Sequence, residues 1–116
     1  MVVYFNPACS KCQEAVATLD QHSCSYDLRN YLIDPPTVAE LKELIALLGC
    51  GVMDIVRQKE KLFESLSLNK NMGDEEWLEA LSKHPELIER PIVIDGERAT
   101  IGRPVSKVID FIQKRP

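Results

Sequence analysis

Residues 1–12 read MVVYFNPACSKC, and a change of rhythm inside them decides the fold. Val2, Val3, Tyr4 and Phe5 form a short β-branched and aromatic run, the composition of a buried strand, and Asn6-Pro7 ends it in a turn. From Ser10 or Lys11 onward the period changes. Ala15, Val16 and Leu19 recur at helical spacing among Gln13, Glu14 and Asp20, which predicts an amphipathic helix ending near His22. Cys9 therefore falls in a strand-to-helix loop and Cys12 about one turn further on. The two are a redox pair, two metal ligands, or two small core residues.

Working outward, SYDLRNYL (25–32) reads as a second strand. Asp34-Pro35-Pro36-Thr37 announces a helix with Thr37 as its cap and Glu40 at the reciprocal capping-box position. Leu41, Leu44, Ile45 and Leu48 give that helix an apolar face, and Gly49 stops it. VMDIVRQKEKLFESL (52–66) reads as short helical pieces around a loop. GDEEWLEALSKHPELI (73–88) opens with acidic residues suited to a helix N-terminus and stops before Pro85. PIVID and ATIG flank Gly96-Glu97 as a hairpin, and PVSKVIDFIQK reads as a last helix with proline at its first position. Trp77 and His84 read as packing and a helix end.

The order is strand, helix, strand, several helices, hairpin, helix. That predicts an α/β protein of thioredoxin-like layout: a mixed four-stranded sheet, βαβ followed by ββα, with a helical insertion over about 37–88. A length of 116 residues suits a single domain over 1–116. Hydrophobic content of 45% with 28% charged residues is globular composition, and a net charge of −4 gives no reason to expect nucleic-acid binding. The start lacks a basic segment followed by an apolar stretch, and no run approaches about 18 apolar residues, so neither a leader nor a membrane span is expected. A cytoplasmic monomer is the expectation, with no apolar stripe left over for a partner. In that compartment four cysteines point to reactivity or metal binding rather than to a disulfide scaffold.

Metal is the weaker choice. Cys9 and Cys12 could be joined by His22 and Cys24, but tetrahedral zinc needs its donors within about 2.0–2.3 Å of one point. A helix between the two pairs separates them by about 18 Å at its rise per residue. Redox chemistry suits the position better. Free backbone N–H groups and the positive end of the helix dipole stabilise an anion at Cys9, and the thiolate is the nucleophile. Cys12 is close enough to attack a mixed disulfide there. Cys24 and Cys50 read as buried structural residues.

The same helix end would cradle an oxyanion, which raises the question of arginines. The chain has Arg29, Arg57, Arg90, Arg98, Arg103 and Arg115. Arg90 and Arg103 stand beside prolines at the two ends of the hairpin, and Arg57 lies in the loop-like DIVRQKE; guanidinium groups hold oxyanions through paired donors.

YFNPACSKC, DIVRQKE and HPELIERPIVIDGERATIGRP together resemble the glutaredoxin-linked arsenate reductase family, a thioredoxin-like group that also contains the Spx-type regulators. The resemblance runs from Val2 to about Ile112. It implies Cys9 as the nucleophile that attacks arsenate, Arg57, Arg90 and Arg103 as the oxyanion clamp, and Pro91 in a cis-proline loop. It also implies glutathione as co-substrate, with no bound cofactor or metal, and glutaredoxin as the partner that completes reduction to arsenite. Two departures stand out. Many such reductases carry a histidine where Phe5 stands, and many have serine in place of Cys12, whereas Spx-type proteins have the C-x-x-C. An internal Cys9–Cys12 disulfide would allow resetting by a dithiol such as thioredoxin, with Cys12 as resolving thiol. It would equally allow a redox-sensing regulator of RNA polymerase, or a thiol-disulfide oxidoreductase with another substrate.

Overall fold

The structure is a computed structural model and describes residues 1–67 and 72–114. In chain order its elements are β1 (Val2–Tyr4), α1 (Ser10–Gln21), β2 (Asp27–Arg29), α2 (Val38–Leu48), a 3-10 turn (Val52–Ile55), α3 (Lys61–Ser67), α4 (Asp74–Lys83), a second 3-10 turn (Pro85–Leu87), β3 (Ile92–Asp95), β4 (Arg98–Ile101) and α5 (Ser106–Gln113). They fall into two compact units: Met1–Asp34 with Arg90–Pro116, and Pro35–Glu89.

The first unit is a mixed four-stranded sheet in the order β2-β1-β3-β4. β1 runs parallel to β2 and antiparallel to β3, and β3 and β4 form the hairpin. This is the mixed α/β arrangement expected from the sequence. Period-2 alternation sets the layers. Val3 pairs with Val93, and both are wholly buried. They share a core cluster with Ala15 and Leu19 of α1, Cys24, and Val108, Phe111 and Ile112 of α5, so the two helices cover one face. Fully burying a side chain such as Leu19 contributes about 1.5–3 kcal/mol. Gly96 takes the left-handed φ of 61° that the tight turn between β3 and β4 requires. Arg98 braces α5, its guanidinium 4.2 Å from the Phe111 ring centre and donating to the Phe111 carbonyl at 3.1 Å.

Two sequence expectations fail here for local reasons. The second strand was expected over 25–32 and spans only Asp27–Arg29. Asn30 ends it: its side chain accepts from the Leu32 amide at 3.1 Å, and its carbonyl accepts from Asp34 at 2.9 Å, a turn that competes with the ladder. Tyr31 turns inward and stacks on Tyr4, whereas Leu28, Leu32 and Ile33 are 49%, 37% and 81% exposed, an apolar edge that the sequence reading did not expect. At the other end, α5 begins at Ser106, not at Pro104. The Pro104 carbonyl accepts from Lys107 three residues on, so the chain makes a tight turn before the helix starts.

The second unit is helical. Thr37 caps α2 through a full capping box, accepting from the Glu40 amide at 3.1 Å while the Glu40 carboxylate accepts from the Thr37 amide at 3.0 Å. Gly49 ends the helix in the left-handed conformation, φ 66°. Ser82 of α4 donates to the Pro36 carbonyl at 2.7 Å, and Trp77 stacks on Phe63 with ring centres 5.3 Å apart. Trp77 is thus a packing residue, as read from the sequence. Val56 and Ile88 form an isolated antiparallel bridge that holds the loop after the first 3-10 turn. No helix among the described residues is long and apolar enough to cross a membrane.

Candidate active site

The loop between β1 and α1 is built by its own residues. The Asn6 side chain accepts from the Ala8 amide at 3.0 Å, the Asn6 carbonyl accepts from the Cys9 amide at 3.0 Å, and Gln13 reaches back to donate to the Pro7 carbonyl at 2.7 Å. These bonds put Cys9 at the N-cap of α1, with extended backbone (φ −95°, ψ 118°) and its carbonyl already accepting from Gln13. Asn6 is legible from the sequence as a turn former; the bracing by Gln13 was missed, because a glutamine on a helix carries no distinctive signal.

The two thiols are driven apart. Burial alone would raise Cys9, but the Cys12 amide, the Cys12 thiol, the Lys11 amide and the charge of Arg90 outweigh it and hold Cys9 down from 9.0 to about 7. Cys12 is wholly buried and pushed up to about 11: burial is the largest cause, a backbone bond with Asn6 opposes it, and the bond to Cys9 and the Cys9 charge add to it. Cys9 is thus the more readily ionised of the two, and Cys12 stays a thiol at neutral pH. Cys24 belongs to the core cluster, and burial and the Asp54 charge push the half-buried Cys50 up, away from the thiolate form.

Arg90 and Arg103 come together at the open ends of the hairpin. Arg103 donates Nε to the Arg90 carbonyl at 3.0 Å, and Gly102 donates its amide to the Pro91 carbonyl at 2.8 Å. The Arg90–Pro91 bond is cis, and so is Arg103–Pro104, which the sequence did not suggest. The charge of Arg90 acts on both Cys9 and Cys12, so four of the residues singled out in the sequence share one neighbourhood. Arg57 belongs to the helical unit, where it donates to the Glu86 carbonyl at 3.2 Å and pairs with Glu60 at 3.4 Å. Arg29 is held over the Tyr4 ring and against Asp34, and Arg98 on Phe111, so both have structural work. Arg115 lies outside the described residues. Among those residues no cluster of three or more His, Cys, Asp or Glu is placed to hold a metal ion.

Residues 4–111 match the model of the ArsC family. The chain belongs to that family. An arsenate reductase from Haemophilus influenzae is 38% identical over 114 residues, covering 97% of this chain and 98% of its own length. The solved structure of an arsenate reductase from Vibrio cholerae superposes with a TM-score of 0.89 at 39% identity, covering 94% of each chain. The family also reaches regulators: the global transcriptional regulator Spx of Bacillus subtilis is 27% identical over 116 residues, covering 99% of this chain and 88% of its own. The ArsC fold is thioredoxin-like, and in this chain the C-x-x-C follows its first strand.

Proposed function

We propose that this ArsC-family protein is a thiol-dependent arsenate reductase. The single observation that carries this reading is the placement of Cys9 at the N-cap of α1 within reach of the Arg90 charge, which helps draw its pKa down, with Arg103 bonded to the Arg90 backbone. In the proposed cycle the Cys9 thiolate attacks arsenic and displaces water, forming a sulfur–arsenic(V) bond. The helix amides and the two guanidinium groups take up the negative charge of the oxyanion. A second thiol then attacks Cys9 Sγ. The sulfur–arsenic bond breaks with its electron pair going to arsenic, arsenite leaves, and Cys9 ends in a disulfide.

Glutathione is the proposed second thiol, with glutaredoxin clearing the mixed disulfide. Cys12 is the alternative. One of the causes that keep it protonated, the hydrogen bond to Cys9, is lost once Cys9 is esterified. The test is arsenate reduction by purified protein with glutathione and glutaredoxin, and in parallel with thioredoxin. Cys9→Ser should abolish it. Losing one preplaced donor typically costs about 10²–10³ in turnover, and Arg90→Ala and Arg103→Ala should each fall by such a factor while keeping their melting temperature. Inactivity with both donors would refute the reading.

A second reading, a redox-responsive regulator of RNA polymerase, draws on Cys12 standing against the Cys9 thiolate and on the Spx relatives. A pull-down with oxidised and reduced protein on the carboxy-terminal domain of the polymerase α chain separates the two readings; equal failure to bind in both forms removes the regulator.

A further inference from the structure

Gly102 is buried at the end of β4, one residue before Arg103. A β-carbon built on it would lie 2.8 Å from Val108 Cγ2 and 3.0 Å from the ring carbon Cγ of Pro91, with the Pro91 carbonyl oxygen at 3.8 Å. Carbon atoms pack at about 3.5–4.0 Å, so both approaches are too close. Neither neighbour yields easily. Val108 is wholly buried and, being β-branched, stiff at χ1, and the Pro91 ring is closed onto the backbone. The Gly102 φ is not left-handed, so it is the space, not the dihedral, that excludes a side chain.

This close approach bears on the arginines. Two consecutive residues each send one bond across to 90–91: the Gly102 amide to the Pro91 carbonyl at 2.8 Å, and Arg103 Nε to the Arg90 carbonyl at 3.0 Å. We propose that Gly102 is a positioning residue whose missing side chain lets 102–103 lie against 90–91 and thereby fixes the spacing and orientation of the Arg90 and Arg103 guanidinium groups. A methyl group there must push the Pro91 segment away by several tenths of an ångström, stretching both bonds. The inference rests on the reading that the two arginines hold an oxyanion.

The experiment needs no electron donor. Arsenate is titrated as a protectant of Cys9 against iodoacetamide, and the half-protecting concentration is read for wild type, Gly102→Ala, Val108→Ala and Arg103→Ala. Val108→Ala is the control, since it weakens the same core without adding the methyl group. Misplacement on the order of 1 Å can cost about 10²-fold, so a shift of tenths should raise the half-protecting concentration about tenfold in Gly102→Ala, against about twofold or less in Val108→Ala. A Gly102→Ala value within about twofold of wild type, with Arg103→Ala strongly raised, overturns the inference alone. An equal rise in Val108→Ala does the same by reducing the effect to loss of structure. No change in Arg103→Ala overturns the oxyanion reading itself, and this inference with it. Should Gly102→Ala fail to fold, the double variant Gly102→Ala/Val108→Ala, which removes the nearer contact, is compared with Val108→Ala under the same criteria.

Discussion

Replacing Cys12 by alanine removes the thiol that donates to the Cys9 thiolate while leaving the backbone amides of Lys11 and Cys12 in place. Hydrogen bonds to charged groups contribute about 1.5–3 kcal/mol, and a thiol is a weak donor, which places this one near the bottom of that range. At about 1.36 kcal/mol per pKa unit, the Cys9 pKa should climb about one unit, from about 7 towards about 8. At pH 7 the thiolate fraction then drops from about half to about a tenth, and iodoacetamide should modify Cys9 about fivefold more slowly. The assay is the pH profile of the alkylation rate, followed by mass on Cys9. Cys12→Ser keeps a hydroxyl donor at the site and should shift the midpoint far less. Because Cys12 is wholly buried, thermal melts of both variants accompany the profile. A Cys12→Ala midpoint unchanged from wild type would refute the reasoning. The amides and Arg90 would then suffice to hold the thiolate, and Cys12 would be left with the resolving role alone.

Stability should also depend on pH through these two thiols. The native Cys9 pKa lies below the unfolded value, so its contribution is fully present above about pH 9 and is lost as pH falls through about 7. Cys12 acts in the opposite sense: its native pKa is raised, so its contribution is present below about pH 9 and is lost as pH rises towards about 11. Urea unfolding of wild type minus Cys9→Ser, under reducing conditions, should therefore show a difference that grows from pH 7 to 9; a flat difference contradicts it. In the helical unit, Thr37→Ala should lower the unfolding free energy by about 1 kcal/mol in denaturant titration, through loss of the capping box. A change below about 0.3 kcal/mol would mean that the cap is not stabilising α2.

The order of the elements along the chain and the N-terminus of α1 could be read from the sequence because both rest on local signals. A β-branched run stopped by Asn6-Pro7 and then a change of period leave little choice, and Gly96 marks the hairpin turn by the φ it must adopt. The full length of the second strand could not be read, since SYDLRNYL alternates well enough to be a strand and only the capture of Leu32 and Asp34 by Asn30 decides otherwise. Pro104 misled for a related reason: proline suits a helix start, and the tight turn to Lys107 is invisible in composition. At the site, residue types together with their places at element ends singled out Cys9, Cys12, Arg57, Arg90 and Arg103. What the sequence could not show is the opposed tuning of the two thiols, which depends on Cys12 being buried, or the tie between Arg103 and the Arg90 backbone, which depends on two segments 13 residues apart meeting side by side.

The position of β1 inside the sheet has a consequence for how the protein comes into being. Its parallel partner β2 is made within the first 29 residues, but its antiparallel partner β3 begins at Ile92, so one edge of the central strand stays unpaired until most of the chain has left the ribosome. Pairings this remote in sequence form slowly, and an open strand edge is a template for unwanted association. The order of synthesis also delays the chemistry. The loop and helix that carry Cys9 are made first, while Arg90 and Arg103 follow only after the helical unit. The nascent protein thus carries the thiol before Arg90 and Arg103 are made, and under the proposed function an oxyanion site is completed only when the sheet closes.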